Sequence, residues 1–173
     1  MLTLILAVAI GLFDEPQAAA QEQKQRYIPN RQFQLKDLQV EELKFTQTTD
    51  TGEKVEHKIK SWVMDTEAKR QEGLMFVLDS DMKADQGMIF VFKAPEPLRF
   101  WMMNTYIPLD IAYLDKDGVV VKTYTMIAHD TTTDYSSIKP AMYAWELKQG
   151  TLRKLGLKAG MKVTIPEKVK AKE

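Results

Sequence analysis

The chain has 173 residues, 45% of them hydrophobic, and its 24 basic and 24 acidic residues cancel to a formal charge of zero. That length suits one domain with a real core, and the balanced charge points away from a nucleic-acid or anionic-membrane surface. Cysteine is absent, which excludes disulfides, thiolate nucleophiles, cysteine-ligated zinc, iron–sulfur clusters and a lipoprotein anchor. With only His57 and His129 present, a histidine-rich metal site within one chain is excluded as well.

Leu2 to Phe13 is an apolar run, shorter than the about 20 residues a spanning helix needs. With Ala18-Ala19-Ala20 behind it, it predicts a signal peptide over residues 1–20, cleaved before Gln21. The mature chain is then expected to be exported, periplasmic or extracellular, with no membrane span left. Residues 21–37 are polar, contain Pro29 and lack an apolar period, so they predict a linker. A single globular domain is expected over 38–166, and residues 167–173 read as a charged tail.

Within the domain, Leu43–Thr46 and Val55–Met64 predict two strands around the Asp50-Thr51-Gly52 turn. Val55, His57, Ile59, Ser61 and Val63 then share one strand face, and Trp62 and Met64 the other. Asp65 or Thr66 can cap a two-turn helix that Gly73 ends. Leu74-Met75-Phe76 enters the core and Leu78–Gln86 is a polar loop. Gly87–Phe92 is apolar throughout, as a strand buried on both faces would be, and Pro95 and Pro97 predict a connection. Leu98–Met103 and Leu109–Asp115 predict strands around an Asn-Thr break. Asp117-Gly118 is a hairpin turn, from which Val119–Met126 pairs back. Ile127–Lys139 predicts a polar loop, Ala141–Leu147 a strand, Leu152–Leu155 a helical turn ended by Gly156, and Met161–Ile165 a last strand. About eight short strands and one or two short helices predict a mainly β (α+β) fold, its antiparallel sheet closed or nearly closed into a barrel.

Gly73-Leu74-Met75, Gly87–Phe92 and the block Phe100-Trp101-Met102-Met103-Asn104-Thr105-Tyr106-Ile107-Pro108-Leu109-Asp110-Ile111-Ala112 resemble the motifs of the domain-of-unknown-function 192 family. Asp117-Gly118, Tyr135-Ser136-Ser137 and Ala144-Trp145-Glu146-Leu147 followed by Gly150 continue the resemblance in order, over roughly residues 43–166. It implies a small, often exported, β-rich domain and no particular reaction. Three positions depart from the family pattern. Met103 stands where a basic residue is usual, Phe76 and Val77 stand where an arginine follows Gly-Leu-Met, and Gly160-Met161 replaces a Gly-Asp. If those residues bind an anion in relatives, this chain has changed that capacity.

Polar side chains inside apolar runs are costly to bury unless hydrogen-bonded. Asn104 and Thr105 therefore form either a turn framework before Pro108 or a ligand contact, and Asp110 either accepts bonds inside the fold or lines a site. Glu146 is the second carboxylate in an apolar strand, with Ala144 and Glu146 on one face and Tyr143, Trp145 and Leu147 on the other. Sharing a pocket, Asp110 and Glu146 would supply the pair for a polysaccharide-directed hydrolase. Trp101, with Trp62, Trp145 and Tyr106, is either core or a stacking platform for sugars. In the loop from His129 to Ser137, Tyr135 and Ser137 are candidate contacts, and His129 with Asp130 and Asp134 could hold a cation. Asp115-x-Asp117-Gly118 reads as a turn rather than a calcium loop, and Ser136 and Ser137 lack a nucleophile elbow.

Three functional readings follow. The first is a non-catalytic exported domain that binds a small molecule, a glycan or an envelope partner through Trp101, Asn104, Thr105, Asp110, Tyr135, Ser137 and Glu146. It needs no cofactor and no metal and assigns no catalytic residue. The second is the hydrolase, and the third is a purely structural or protein-interaction domain.

Overall fold

Strand β1 (Val40–Thr48) alternates outward and buried residues, and the turn at Asp50–Gly52 returns it antiparallel as β2 (Lys54–Met64). Helix α1 (Glu67–Glu72) follows. The Thr66 hydroxyl caps it by accepting the Lys69 N–H at 3.4 Å, and Gly73 ends it at φ 47°. Strand β3 (Gln86–Phe100) lies parallel to β2. Strands β4 (Leu109–Leu114) and β5 (Val120–Met126) form the Asp117-Gly118 hairpin, and β6 (Tyr135–Lys148) sits between β3 and β4. A single turn of helix α2 (Thr151–Lys154) and the two-residue β7 (Val163–Thr164) complete the order β5-β4-β6-β3-β2-β1-β7. These elements come from a computed structural model that describes residues 26–172. The expected signal peptide lies outside the described residues.

The sheet is mainly antiparallel and curls into a half-barrel. Its two edges meet at one end, where Val119 bridges Lys162 and the Val120 N–H donates to the Met161 carbonyl at 2.9 Å. Gly118, at φ 78°, makes that closure by coming so near the Val163 carbonyl that a Cβ would collide with it. Further along, β5 and β7 diverge and the barrel stays open.

Both faces of the sheet are buried. The first apolar layer gathers Trp62, Met64, Met88, Phe90, Leu109, Ile111 and Tyr113 from the strands. The second gathers Leu43, Ile59, Ile89, Val91, Ala112, Leu114 and Trp145, with Leu152 and Leu157 from the α2 region. The doubly buried reading of Gly87–Phe92 holds for Gly87–Val91: Met88 and Phe90 face one layer, Ile89 and Val91 the other, and only Phe92 is half-buried.

Seven strands form among the described residues, because two of the expected strands are one. β3 runs through Pro95 and Pro97 instead of breaking there, shifting register at Val91/Glu96 and Pro97/Arg99. Bulges on this exposed stretch accommodate proline without orphaning a buried ladder bond. β6 likewise starts at Tyr135, so the expected loop is shorter.

Both ends of the domain pack more closely than their polarity suggests. Residues 26–37, expected within a linker, bury Ile28 and Leu35 in the first layer. Arg31 holds them down by donating to the Gly73 and Met75 carbonyls at 2.8 and 2.7 Å. Gln34 bonds the Ile28 backbone from both its amide atoms. In the tail, Val169 enters the second layer. The Lys172 N–H donates to the Asp65 carbonyl at 2.8 Å, and its ammonium lies 2.5 Å from the Asp65 carboxylate. A few buried anchors outweigh an otherwise polar composition in each segment.

Candidate functional site

The Asn-Thr break forms a loop between β3 and β4. Asn104 is exposed at φ 55°, and its carbonyl accepts the Phe76 N–H at 2.9 Å. Thr105 is buried; its hydroxyl donates to the Met103 carbonyl at 3.3 Å and its own carbonyl accepts the His129 N–H at 3.0 Å. Phe76 and His129 are also left-handed, at φ 65° and 60°. Three non-glycine residues in this sparse region thus meet in one loop cluster, a concentration that marks functional sites. Tyr106 lies between the other two, its ring 6.1 Å from Phe76 and 5.2 Å from His129.

Beside this cluster the chain opens a groove of about 420 Å³. Trp101 stands at its edge with 56% of its surface exposed. Glu67, Arg70 and Gln71 from α1 line one side, and Phe92, Glu96 and Arg99 from β3 the other. Arg70 is fixed in place: its guanidinium lies 5.0 Å from the Phe92 ring centre and donates to the Val91 carbonyl at 3.0 Å. Arg99 pairs with Asp134 at 2.9 Å. The groove combines one exposed indole with planar guanidinium, carboxylate and amide groups, the chemistry that stacks on and hydrogen-bonds a polyhydroxylated ligand.

Tyr135 and Ser137 are buried framework. The Tyr135 hydroxyl donates to Asp130 at 2.8 Å and accepts the Ile127 N–H at 3.1 Å, while its carbonyl accepts the Tyr113 hydroxyl at 2.5 Å. Ser137 accepts the Leu98 N–H at 2.9 Å and donates to the Lys139 carbonyl at 2.7 Å. Asp130 is committed too: bonds from Thr133 and Thr132, then from Tyr135, hold its carboxyl well below the usual carboxylate range. The cation alternative at His129 therefore finds one carboxylate in a turn network and the other on Arg99, and no metal-holding cluster occurs among the described residues.

Asp110 and Glu146 do not form a pair. Ile111 faces Glu146 across the β4–β6 ladder and Asp110 faces Leu147, so alternation puts the two carboxylates on opposite sides of the sheet. The hydrolase reading loses its acid–base pair. Asp110, 2% exposed, accepts from the Thr125 hydroxyl at 2.9 Å and from the Leu152 N–H at 3.0 Å, tying α2 to the sheet. It floors a second groove of about 640 Å³ with Thr123, Gln149 and Arg153. Both its carboxylate oxygens are already engaged by the protein. Glu146 is 4% exposed in the first layer, and burial pushes its carboxyl up to about 8.

Only Trp101 of the expected contacts therefore lines the groove. Glu67, Arg70, Gln71 and Glu96 were not foreseen. Their i, i+3, i+4 spacing places Glu67, Arg70 and Gln71 on one helix face, but that this face opposes Trp101 depends on β3 continuing through its prolines.

Residues 46–165 match the model of a family described as DUF192, an uncharacterized ACR. Among solved structures, a Novosphingobium aromaticivorans protein of unknown function is 31% identical. That match covers 75% of this chain and 87% of the other, with a TM-score of 0.65. A Sinorhizobium meliloti protein described as a candidate transcription regulator is 28% identical over 73% of this chain and 94% of its own, with a TM-score of 0.64. No curated protein matches the chain.

Proposed function

We propose that this chain, which belongs to the DUF192 family, is an exported, non-catalytic domain that binds a glycan in the groove beside Trp101. The observation that carries the reading is the exposed indole at the rim of a groove lined by Arg70, Gln71, Glu96 and Arg99. An indole face left in water gains by covering the apolar face of a sugar ring, while planar polar groups take adjacent hydroxyls two at a time. Opposed arginines and glutamates leave the groove without excess charge, which favours a neutral glycan over an anion. The regulator description of one relative is not extended to this chain, whose 24 basic and 24 acidic residues form no dominant basic run.

Titration of the mature protein with a panel of neutral oligosaccharides, followed by calorimetry and tryptophan fluorescence, tests the reading. At least one sugar is expected to bind and to perturb the fluorescence, with both effects lost in Trp101→Ala. No binding across the panel, or binding unchanged in Trp101→Ala, overturns it. For export, N-terminal sequencing of protein from producing cells is expected to begin at Gln21; a retained Met1 removes that element of the proposal.

A further inference from the structure

The open seam of the barrel is a second surface, and it shares no lining residue with the Trp101 groove. Strand β5 is the last strand on that side and pairs with β4 alone. Its first residue is closed off: the Val120 N–H donates to the Met161 carbonyl at 2.9 Å, and the Val120 carbonyl accepts the Gly160 N–H at 2.8 Å. Past its other end, the Ile127 N–H donates to the Tyr135 hydroxyl at 3.1 Å. Between these points Val121–Met126 has no strand on its outer side among the described residues. Such an edge presents alternate N–H and C=O groups with which another chain can pair.

The seam is also a groove of about 640 Å³. Thr123 and Thr125 line it from β5, and Gln149, Arg153 and Leu157 line it from the α2 segment. The β5 side is already fixed in place. The Thr125 hydroxyl donates to Asp110 at 2.9 Å, and the Tyr124 hydroxyl donates to the Ser136 carbonyl at 2.8 Å. Pairing along this edge would therefore order little besides the incoming chain.

Charge selects the occupant. Arg153, Lys154 and Lys158 are exposed, and their side chains make no ion pair or hydrogen bond among the described residues. No acidic residue occurs between Leu147 and Pro166, a stretch that also carries Lys148 and Lys162. The one carboxylate lining the groove, Asp110, already accepts from Thr125 and from the Leu152 N–H. An unpaired strand edge thus runs beside a cationic wall.

We propose that the β5 seam docks an acidic, extended peptide segment of a protein partner, which adds to the sheet as a strand along Val121–Met126 and sets its carboxylates against Arg153 and Lys158. Backbone pairing supplies the affinity, and the cationic wall supplies the preference. A nucleic acid meets the same cations but makes no use of the strand edge. A second copy of this chain brings Lys122 and no carboxylate on its own β5, so two copies gain no charge pairing across the seam.

The test uses three pools of acetylated, amidated heptapeptides: one with Glu at alternate positions, one with Lys there, and one with Glu there and Pro between. Peptides retained on the immobilised protein are identified by mass spectrometry and titrated singly. Retention is expected from the first pool and not from the other two. The best peptide is expected to slow amide exchange, read by NMR, at the outward-facing amides of Val121–Met126, with Leu43–Phe45 unchanged. Its affinity is expected to fall at least about tenfold in the double variant Arg153→Glu/Lys158→Glu, which alters exposed positions only. Equal retention of the proline pool, or binding without slowed exchange in β5, overturns strand addition. No retention of the first pool, or undiminished binding to the double variant, overturns the acidic partner. A single-stranded oligonucleotide that binds more tightly than any peptide assigns the wall to nucleic acid. A concentration-dependent dimer in analytical ultracentrifugation, with the β5 amides protected in the absence of peptide, assigns the edge to a second copy. Either result overturns the proposal.

Discussion

Asp110 and Glu146 sit on neighbouring strands of one sheet, both almost fully buried, and their surroundings are opposite. Around Asp110 the fold supplies two donors, the Thr125 hydroxyl and the Leu152 amide. Around Glu146 the neighbouring strands supply Met88 and Ile111, and no hydrogen bond to its carboxyl occurs among the described residues. A carboxylate met by donors can act as a joint, here between the β4–β5 hairpin and α2. One met by apolar groups remains a neutral acid with a standing cost. Burial by itself therefore says little about a polar residue's role, which depends on what faces it.

Asp110→Ala attacks the satisfied side and carries the largest expected effect. It strips Thr125 and the Leu152 amide of their acceptor, and a buried donor left unpaired next to a lost charged bond costs about 3 kcal/mol. Urea unfolding measures the loss. A loss under about 1 kcal/mol means water replaces the carboxylate and Asp110 is no joint.

Glu146→Leu attacks the other side with the opposite sign. It replaces an unpaired polar group by an apolar side chain of similar volume, a change expected to stabilise by about 2 kcal/mol at neutral pH. The gain should shrink towards pH 4.5, because the acid of the wild type is neutral in both folded and unfolded states there. Thermal unfolding at pH 5 and pH 8 reads both parts. A destabilised variant at pH 8 would mean that Glu146 has a partner after all.

Next in size is Ser61→Ala. Trp145 adjoins Glu146 in sequence but faces the layer of Asp110, and its indole N–H donates to the Ser61 hydroxyl at 2.9 Å. Removing that acceptor from a fully buried donor is expected to cost about 1–2 kcal/mol. Gly87 packs so close to the same indole that a Cβ there would fall 2.8 Å from the ring nitrogen, so the ring cannot swing to another partner. A neutral result in chemical unfolding would break the rule that the second layer's polar groups are satisfied throughout.

Much of this contrast was legible in the sequence. Strict alternation in β6 put Glu146 and Trp145 on different faces, and the polar positions Asn104, Asp110 and Glu146 stood out because apolar runs surround them. The opposition of Asp110 and Glu146 was not legible: it follows from the β4–β6 register, a long-range pairing that periodicity within either strand does not contain. The groove was missed for a related reason. Pro95 and Pro97 read as a break, yet bulges let β3 run on and carry Arg99, Phe100 and Trp101 opposite α1. Local composition also concealed the docking of residues 26–37, where Ile28 and Leu35 are the anchors in a stretch otherwise rich in polar side chains.

Trp101→Ala has the smallest expected effect on stability and tests the groove against both carboxylate layers. The indole is 56% exposed and takes part in no aromatic pair among the described residues. Its removal should change unfolding free energy by less than about 0.5 kcal/mol, the range of surface substitutions. Stacking on an aromatic face contributes about 1 kcal/mol or more, so sugar affinity should fall by roughly fivefold or more while the fold stays intact. A Trp101→Phe variant, which keeps a smaller ring, should restore part of that affinity. If Trp101→Ala instead destabilises by about 2 kcal/mol, the indole belongs to the framework like Trp62 and Trp145, and the groove loses the group that marks it as a site.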